Sequence, residues 1–295
     1  MRKNLKYVLG GFLVALTIAA SGGGGGLVAS VVSLSQTIGK YADGLLVRST
    51  IPQDEIVLNK REGVYHFTKF GYHPSLTAAN GEETIWAYTG GNFTPMTSAE
   101  TFTITYTQAN DGSSAQGAKT LYVVYVDANG ERAVAVHTLE ADGSDVTSFT
   151  GLGINRVAVA SSGTSDTNVS DITLTATSAG TVQAFLPAGN GVTQQAIYHV
   201  ASNADAVVKF LWLNAEKLSG SSPKVEVKGY VYNRAVDTRF EVFRADFDTS
   251  VNNQISITEP VGFALSPSDV LYFVADTDTN ATIFNIRFSV VEYTR

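Results

Sequence analysis

The sequence contains no cysteine among its 295 residues. This absence excludes disulfide bonds, thiol chemistry, cysteine-ligated zinc and iron–sulfur clusters. It also removes the redox signal from which a cellular compartment is often inferred. Nothing about the location of the protein therefore follows from its sulfur content.

Charged residues are scarce. They form 16% of the chain, and 27 Asp+Glu against 20 Lys+Arg give a net charge of −7. An acidic chain lacks the clustered cations that contact phosphates, so nucleic acid is not an expected partner. The hydrophobic fraction of 44% excludes intrinsic disorder. Abundant Thr, Val and Tyr with little Leu, Lys or Glu indicate a β protein.

Recognisable catalytic motifs are also missing. The histidines form no H-E-x-x-H pair, and the serines form no G-x-S-x-G elbow. Residues 22–26 are five glycines without the Lys-Ser/Thr of a phosphate-binding loop. We therefore predict no enzyme, and no catalytic, cofactor-binding or metal-ligating residues. A hydrolase site assembled from dispersed residues is the remaining enzymatic alternative. The four histidines are His66, His73, His137 and His199.

Short acidic runs are the only candidates for a metal. Calcium prefers several oxygen ligands, and such oxygens follow one another at residues 127–131, 142–145 and 276–280. None of these runs matches the twelve-residue EF-hand loop. Alternating Asp at strand ends, as at 246 and 248, is more typical of turns. We expect solvated turns and no cofactor, with surface calcium as the alternative.

The N-terminal segment, residues 1–26, is hydrophobic and predicted to be helical. Arg2, Lys3 and Lys6 precede an uncharged run over residues 7–39, whose densest apolar part spans 7–20. A cleaved signal peptide, a retained membrane anchor and an arm packed inside an assembly all fit this pattern. We expect the segment to be retained, as an anchor or a packing arm. The apolar residues assigned to it are Leu13, Leu16 and Ile18.

Residues 27–62 are predicted to be an amphipathic helix followed by a linker. Apolar residues recur there with 4-3-4-3-4 spacing, which is the a/d pattern of a short coiled coil. A lone helix packed on its own chain shows the same spacing. Self-association through this seam would favour a homotrimer. The predicted oligomerisation and attachment residues are Leu27, Val31, Leu34, Ile38, Tyr41 and Leu45.

From residue 63 onward the pattern is one of strands and turns. Residues 120–139 read as two strands around Asn129-Gly130, a strong hairpin signal. Further alternating runs continue to residue 293. The Pro/Gly-rich run at 187–191 suggests a boundary. We predict a mainly β fold with two antiparallel units, a first β domain over 63–187 and a jelly-roll-like sandwich over 188–295.

The two tryptophans allow a second interpretation. Trp86 lies near Tyr88 and Phe93 in a Gly-rich stretch, and Trp212 lies in an apolar strand. Exposed aromatic rings can stack on sugars, whereas buried rings stabilise a core. We favour the core interpretation, in which Trp86 anchors a loop onto a sheet and Trp212 belongs to a core strand.

Residues 66–93 resemble a motif of virion proteins from tailed and marine phages. The matching elements are Lys69-Phe70-Gly71, Pro74, Glu83, Ile85-Trp86, Gly90-Gly91 and Phe93. A second similar segment contains Ala109-Asn110-Asp111, Gly117-Ala118 and Asp127-Ala128-Asn129, and residues 153–157 and 188–200 resemble later segments. The resemblance covers about 66–200. The chain departs from the pattern at His73, where the family usually has Asn, and in its hydrophobic N-terminus.

This resemblance implies a β-rich virion component without catalytic residues. We therefore predict a non-enzymatic virion structural protein, of the capsid decoration, fibre, spike or accessory capsid type, attached through its N-terminal segment. Its expected partners are copies of itself, other capsid or tail proteins and, if the segment enters lipid, a viral membrane. The alternative is a membrane-anchored or secreted bacterial carbohydrate-binding module that uses Trp86 or Tyr88 as a stacking platform.

Overall fold

The computed structural model describes residues 4–9, 12–17, 62–218, 222–258 and 263–295. The chain forms two compact units, Met1–Arg61 and Glu62–Arg295. In the described residues there is no helix of the length and apolarity that a membrane crossing requires.

The described part of the N-terminal unit is a β-hairpin. Strand β1 (Asn4–Leu9) pairs antiparallel with β2 (Phe12–Thr17), with Leu9 opposite Phe12. The prediction of a helix is therefore wrong for these residues. The reason is visible in the sequence, since two short runs of β-forming residues flank Gly10-Gly11, a typical hairpin dipeptide.

The predicted attachment residues have different outcomes. Leu13 and Leu16 lie in β2, opposite Val8 and Leu5. Ile18 and the seam formed by Leu27, Val31, Leu34, Ile38, Tyr41 and Leu45 lie outside the described residues.

The described part of the larger unit is built of strands and turns, and the paired strands are antiparallel. The alternation of apolar and polar residues predicted most of these strands. Their bounds are β3 Val64–Leu76, β4 Glu83–Thr84, β5 Phe102–Thr105, β6 Ala118–Asp127, β7 Arg132–Thr138, β8 Ser144–Val146, β9 Gly151–Ser162, β10 Ile172–Ala176, β11 Val182–Leu186, β12 Ile197–His199, β13 Ala204–Lys217, β14 Lys224–Asn233, β15 Thr238–Asp248, β16 Gln254–Thr258, β17 Ala264–Leu265, β18 Asp269–Thr277 and β19 Thr282–Thr294.

Two sheets enclose the largest core. One has the order β16-β13-β19-β3, with β17 paired to β13, and the other has the order β12-β18-β14-β15, with β4 paired to β18. Both sheets contribute to one cluster of buried apolar side chains, because alternate residues of each strand face the same side. The fully buried aromatic rings in this cluster are Tyr198, Phe273, Phe284 and Phe288.

A second core lies between the remaining two sheets, with the orders β11-β10-β5-β8 and β7-β6-β9. Phe102, Ile104 and Tyr106 share one face of the predicted strand, and all three are buried there. They pack with side chains of the other sheet such as Leu121 and Val123. Each pair of sheets is thus a β-sandwich.

The sheets do not follow the predicted division at residue 187. Strand β3, assigned by sequence to the first domain, pairs along its length with β19, and β4 pairs with β18. Residues 62–295 form one compact unit. A boundary predicted from the order of residues does not separate these sheets, because strands that pair in a sandwich can lie far apart along the chain.

The predicted hairpin between β6 and β7 is confirmed. Gly130 has a φ of 82° and donates its N–H to the Asp127 carbonyl at 3.0 Å. The Asp127 carboxylate accepts the N–H groups of Asn129 and Glu131 at 2.9 and 2.8 Å. This turn is closed by its own side chain, as expected for an Asp in this position.

Candidate interaction surface

The three-stranded sheet β7-β6-β9 presents an apolar patch on β6 and β7 to solvent. Leu121 and Val123 of β6 point into the core, so the residues between and beside them point outward. Tyr122 lies opposite Val136, and Val124 lies opposite Val134. The exposed fractions of Tyr122, Val134 and Val136 are 39%, 52% and 64%. Scattered exposed valines are ordinary, but adjacent ones on a sheet form a patch.

The same sheet has an unpaired edge. Strand β7 ends the order β7-β6-β9, and within the described part of the chain no strand pairs with its outer side. Backbone hydrogen bonds run from Asp127 N–H to Glu131 O and from Leu139 N–H to Lys119 O. Counting from these two pairs, every second residue of β7 is hydrogen-bonded to β6, and the residues between are not. Backbone groups of Val134 and Val136 therefore point away from β6. An edge of this kind is a template for another strand.

Strand β7 lacks the usual protection of an edge. Its sequence is RAVAVHT, with no proline, and its pairing with β6 has no bulge. Natural edges are commonly blunted by lysine, proline or bulges. The one strongly charged residue of β7, Arg132, is turned toward the neighbouring sheet instead.

Arg132 fastens this edge to the larger sandwich. Its guanidinium pairs with the buried carboxylate of Glu292 on β19, which also accepts the hydroxyl of Tyr198. The guanidinium carbon lies 4.5 Å and 4.4 Å from the ring centroids of Tyr65 and Phe67. Burial raises the pKa of Glu292, and Arg132 opposes that shift. These contacts connect the first residue of the edge strand to the larger sandwich.

The buried histidine His199 belongs to a polar cluster between the two sandwiches. The side chain of Asn155 forms two hydrogen bonds with the backbone of His199. It accepts the His199 N–H at 2.7 Å and donates to the His199 carbonyl at 2.9 Å. Arg234 lies 2.9 Å from Nδ1 and donates to the carbonyls of Met96, Ser268 and Leu152. Burial, together with Arg234 and Lys69, lowers the pKa of His199. The imidazole is therefore neutral, in a structural position.

The other histidines also occupy structured surroundings. His73 is buried, with Nε2 3.7 Å from Glu83, and burial lowers its pKa. His137 on β7 has Nε2 3.7 Å from the Asp145 carboxylate. His66 lies on β3, and burial lowers its pKa.

Trp86 is 1% exposed and cannot stack on a sugar. Its indole N–H donates to the Gly91 carbonyl at 3.1 Å, and its ring packs edge-on against Tyr88 and Phe93. The interpretation of Trp86 as a loop anchor is confirmed, and its proposed use as a stacking platform is wrong. Tyr88 is half-buried against Phe185. Trp212 lies on the central strand β13 but is also only half-buried.

The acidic residues considered as calcium ligands lie in turns or beside one another on adjacent strands. Asp248 accepts the N–H of Ser250 at 3.0 Å, and Asp278 accepts that of Lys224 at 2.8 Å. Glu226 lies between Asp246 and Asp276 on adjacent strands. No three acidic, histidine or cysteine side chains in the described ranges converge on a common point that could hold a metal.

The charge cluster around Glu226 was not foreseen from the sequence. Its carboxylate pairs with Lys228 at 2.6 Å and with Arg244 at 3.0 Å. Lys228 also pairs with Glu82 at 2.9 Å, and these carboxylates raise its pKa. These contacts explain how the acidic residues on neighbouring strands are tolerated.

Comparison with known proteins identifies no matching family model and no matching curated protein. Among solved structures, T=1 particles derived from infectious bursal virus align over 79% of this chain and 74% of that chain. The alignment has 9% sequence identity and a TM-score of 0.20. A likeness of this size carries no inference about fold or function.

Proposed function

We propose that this protein is a non-enzymatic structural component of a phage-like virion, of the capsid decoration, fibre, spike or accessory capsid type. The motif resemblance over about residues 66–200 and the all-β architecture of the described residues support this assignment. In the proposal the N-terminal segment attaches the protein to other capsid or tail proteins or to a viral membrane. The protein works without a cofactor.

The observation that carries the proposal is the unprotected edge of β7 beside an exposed apolar face. A virion component functions by contact with its neighbours, and an open strand edge offers hydrogen bonds while Val134, Val136 and Tyr122 offer apolar area.

The occupant of this edge is a second copy of the same chain. Antiparallel pairing of β7 with its own copy places Val134 of one copy opposite Val136 of the other, with Ala135 at the two-fold axis. The outward backbone groups of the two strands then match, because the same alternation applies to both. Two three-stranded sheets become one sheet of six strands with a continuous apolar face. Such self-complementarity is the property of a two-fold interface.

A single charge tests this contact. Val136→Lys in the full chain introduces two ammonium groups near the two-fold axis, where like charges repel. Sedimentation velocity over a range of concentrations should show one association step in the wild type and its loss in the variant. Val251→Lys is the matched control, because Val251 is 85% exposed in a turn outside this sheet. Equal association of Val136→Lys and wild type, or loss of association in both variants, contradicts the interface.

The virion assignment has its own test. Particles purified from the source are dissociated, and the protein is sought by intact mass with a fixed copy number relative to the major capsid protein. Stoichiometric recovery is the expected result. Its absence from purified particles contradicts the assignment, whatever the outcome at β7.

A further inference from the structure

Lys69 is a buried cation without a carboxylate partner. It lies on β3, is 8% exposed, and donates from Nζ to the backbone carbonyl of Asn155. Within the described ranges it forms no ion pair. A buried charge that lacks a counter-ion is costly, since a neutral carbonyl only partly replaces water.

Lys69 lines a cavity of about 210 Å³. Arg156 of β9 lines the same cavity and is exposed, and its side chain forms no hydrogen bond or ion pair with another described residue. The remaining walls are residues 192–195, Thr68 and Phe70. Two cationic residues thus line one small cavity of mixed polar and apolar walls, on a chain whose net charge is −7.

The charges in this cavity favour an anion. Burial and the neighbouring Arg156 both lower the pKa of Lys69, to about 7. An anion between the two groups would attract both cations and reverse this effect. Ammonium and guanidinium groups are the side chains that commonly bind phosphate.

The size of the cavity and the presence of Gln195 in its wall indicate which anion it binds. A cavity of about 210 Å³ lies below the usual range of roughly 300–1,000 Å³ for drug-sized ligands, which indicates a small ion. Gln195 lines the cavity and donates from Nε2 to the Ile154 carbonyl at 3.0 Å, while its buried Oε1 has no partner. An amide oxygen can accept a hydrogen bond from a protonated phosphate oxygen, which sulfate lacks at neutral pH.

We propose that the cavity formed by Lys69, Arg156 and Gln195 binds inorganic phosphate. This ligand goes beyond the structural role in a virion and does not depend on it. Lys69 supplies a buried positive charge, Arg156 supplies an exposed one, and the Gln195 amide oxygen accepts a hydrogen bond from the protonated ion. The assembly contact at β7 lies on other residues, so the two proposals fail separately.

The test is isothermal titration of the full chain with inorganic phosphate at constant ionic strength in a phosphate-free buffer. Wild type should show saturable binding, and sulfate should bind more weakly. Arg156→Gln should weaken phosphate binding about tenfold or more, as expected for the loss of a charge-assisted hydrogen bond. Because Arg156 is exposed, this variant should fold normally. Arg295→Gln removes one positive charge from an exposed pair elsewhere and should bind as wild type does.

Three results overturn the proposal. The first is the lack of saturable phosphate binding by wild type. The second is equal weakening by Arg156→Gln and Arg295→Gln, which would mean that the ion responds only to overall charge. The third is sulfate binding as tight as that of phosphate, which would show that the hydrogen bond from a protonated phosphate oxygen to Gln195 does not contribute.

Discussion

His199 packs directly on Gly153, with no space for a side chain between them. A Cβ on Gly153 would lie 2.1 Å from Cε1 of the His199 ring. Gly153 belongs to β9 and His199 to β12, so the contact joins a sheet of one sandwich to a sheet of the other. The glycine is required here by the neighbour and not by its own backbone angles.

Gly153→Ala should therefore destabilise the protein. The added methyl group forces His199 or β9 to move, and overpacking of this kind costs about 1–3 kcal/mol. Ala160→Ser is a suitable control, because it adds one heavy atom at an exposed position of the same strand. Urea unfolding should give a lower midpoint for Gly153→Ala alone. Equal midpoints would show that the contact is looser than the structure indicates.

The stability of the protein should rise with pH above neutrality because of Lys69. Burial lowers the pKa of its ammonium group from an ordinary value of 10.5, which the unfolded chain retains, to about 7 in the fold. Between these values the unfolded chain binds more protons than the folded chain, so the free energy of unfolding increases with pH. At about 1.4 kcal/mol for each pKa unit, the whole difference corresponds to roughly 5 kcal/mol.

Urea unfolding between pH 7 and pH 9 measures this slope. The other charged or titratable groups beside Lys69 are Arg156 and His199, and the pKa of His199 is lowered by burial, so its imidazole stays neutral. Lys69→Met should therefore reduce the slope and stabilise the protein most near pH 7. An unchanged slope in this variant would assign the pH dependence to other groups.

Removal of Arg132 should leave Glu292 buried without its cation. Breaking one side of a buried pair typically costs about 3–5 kcal/mol, more than the pair itself contributes. Arg132→Met should lower stability by such an amount, and Arg132→Met combined with Glu292→Gln should recover much of it. Arg295→Gln breaks an exposed pair with Asp205 and should change little. Additive losses in the double variant would contradict the coupling of the two residues.

Asp111 is the buried carboxylate that ties two loops together. It accepts the N–H groups of Ala118, Val169 and Ser170 at 2.7, 3.0 and 2.7 Å, and also the Ser170 hydroxyl. An asparagine would present an amide group to some of these donors. Each buried donor left without an acceptor costs about 1–3 kcal/mol.

Asp111→Asn should therefore lower the thermal midpoint clearly, whereas Asp127→Asn should not. Asp127 accepts both N–H groups through one oxygen in an exposed turn, and an amide oxygen can accept the same two bonds. Its other oxygen accepts only a long bond of 3.4 Å from the exposed Asn129 amide. Differential scanning calorimetry of the two variants makes the comparison. Similar midpoints would mean that the Asp111 site relaxes around the amide.

Local features of the larger unit could be predicted from the sequence. The alternation at Phe102, Ile104 and Tyr106 identified the buried face, and Asn129-Gly130 identified the hairpin. Both signals depend on neighbours in sequence, which is why they succeeded. The prediction of an N-terminal helix was wrong for the described residues, because a run of apolar residues is compatible with a pair of strands as well as with a helix.

The sites could be predicted only in part. Lys69 is in phase with Phe67 and Gly71 along β3, so alternation alone places it on the inward face. Its cavity could not be foreseen, because Arg156 and Gln195 arrive from other elements. The same applies to Arg132 and Glu292, which are 160 positions apart. Such meetings follow from strand pairing, and strand pairing is not a local property.

The pairing of β3 with β19 has a consequence for how the molecule is made. Val64, at the start of the larger unit, pairs with Tyr293 near its other end. During synthesis β3 leaves the ribosome long before β19 has been made, so the apolar residues of β3 stay exposed to solvent in the meantime. The larger sandwich can close only after β19 has emerged, which predicts slow folding because its contacts join residues that are distant in sequence.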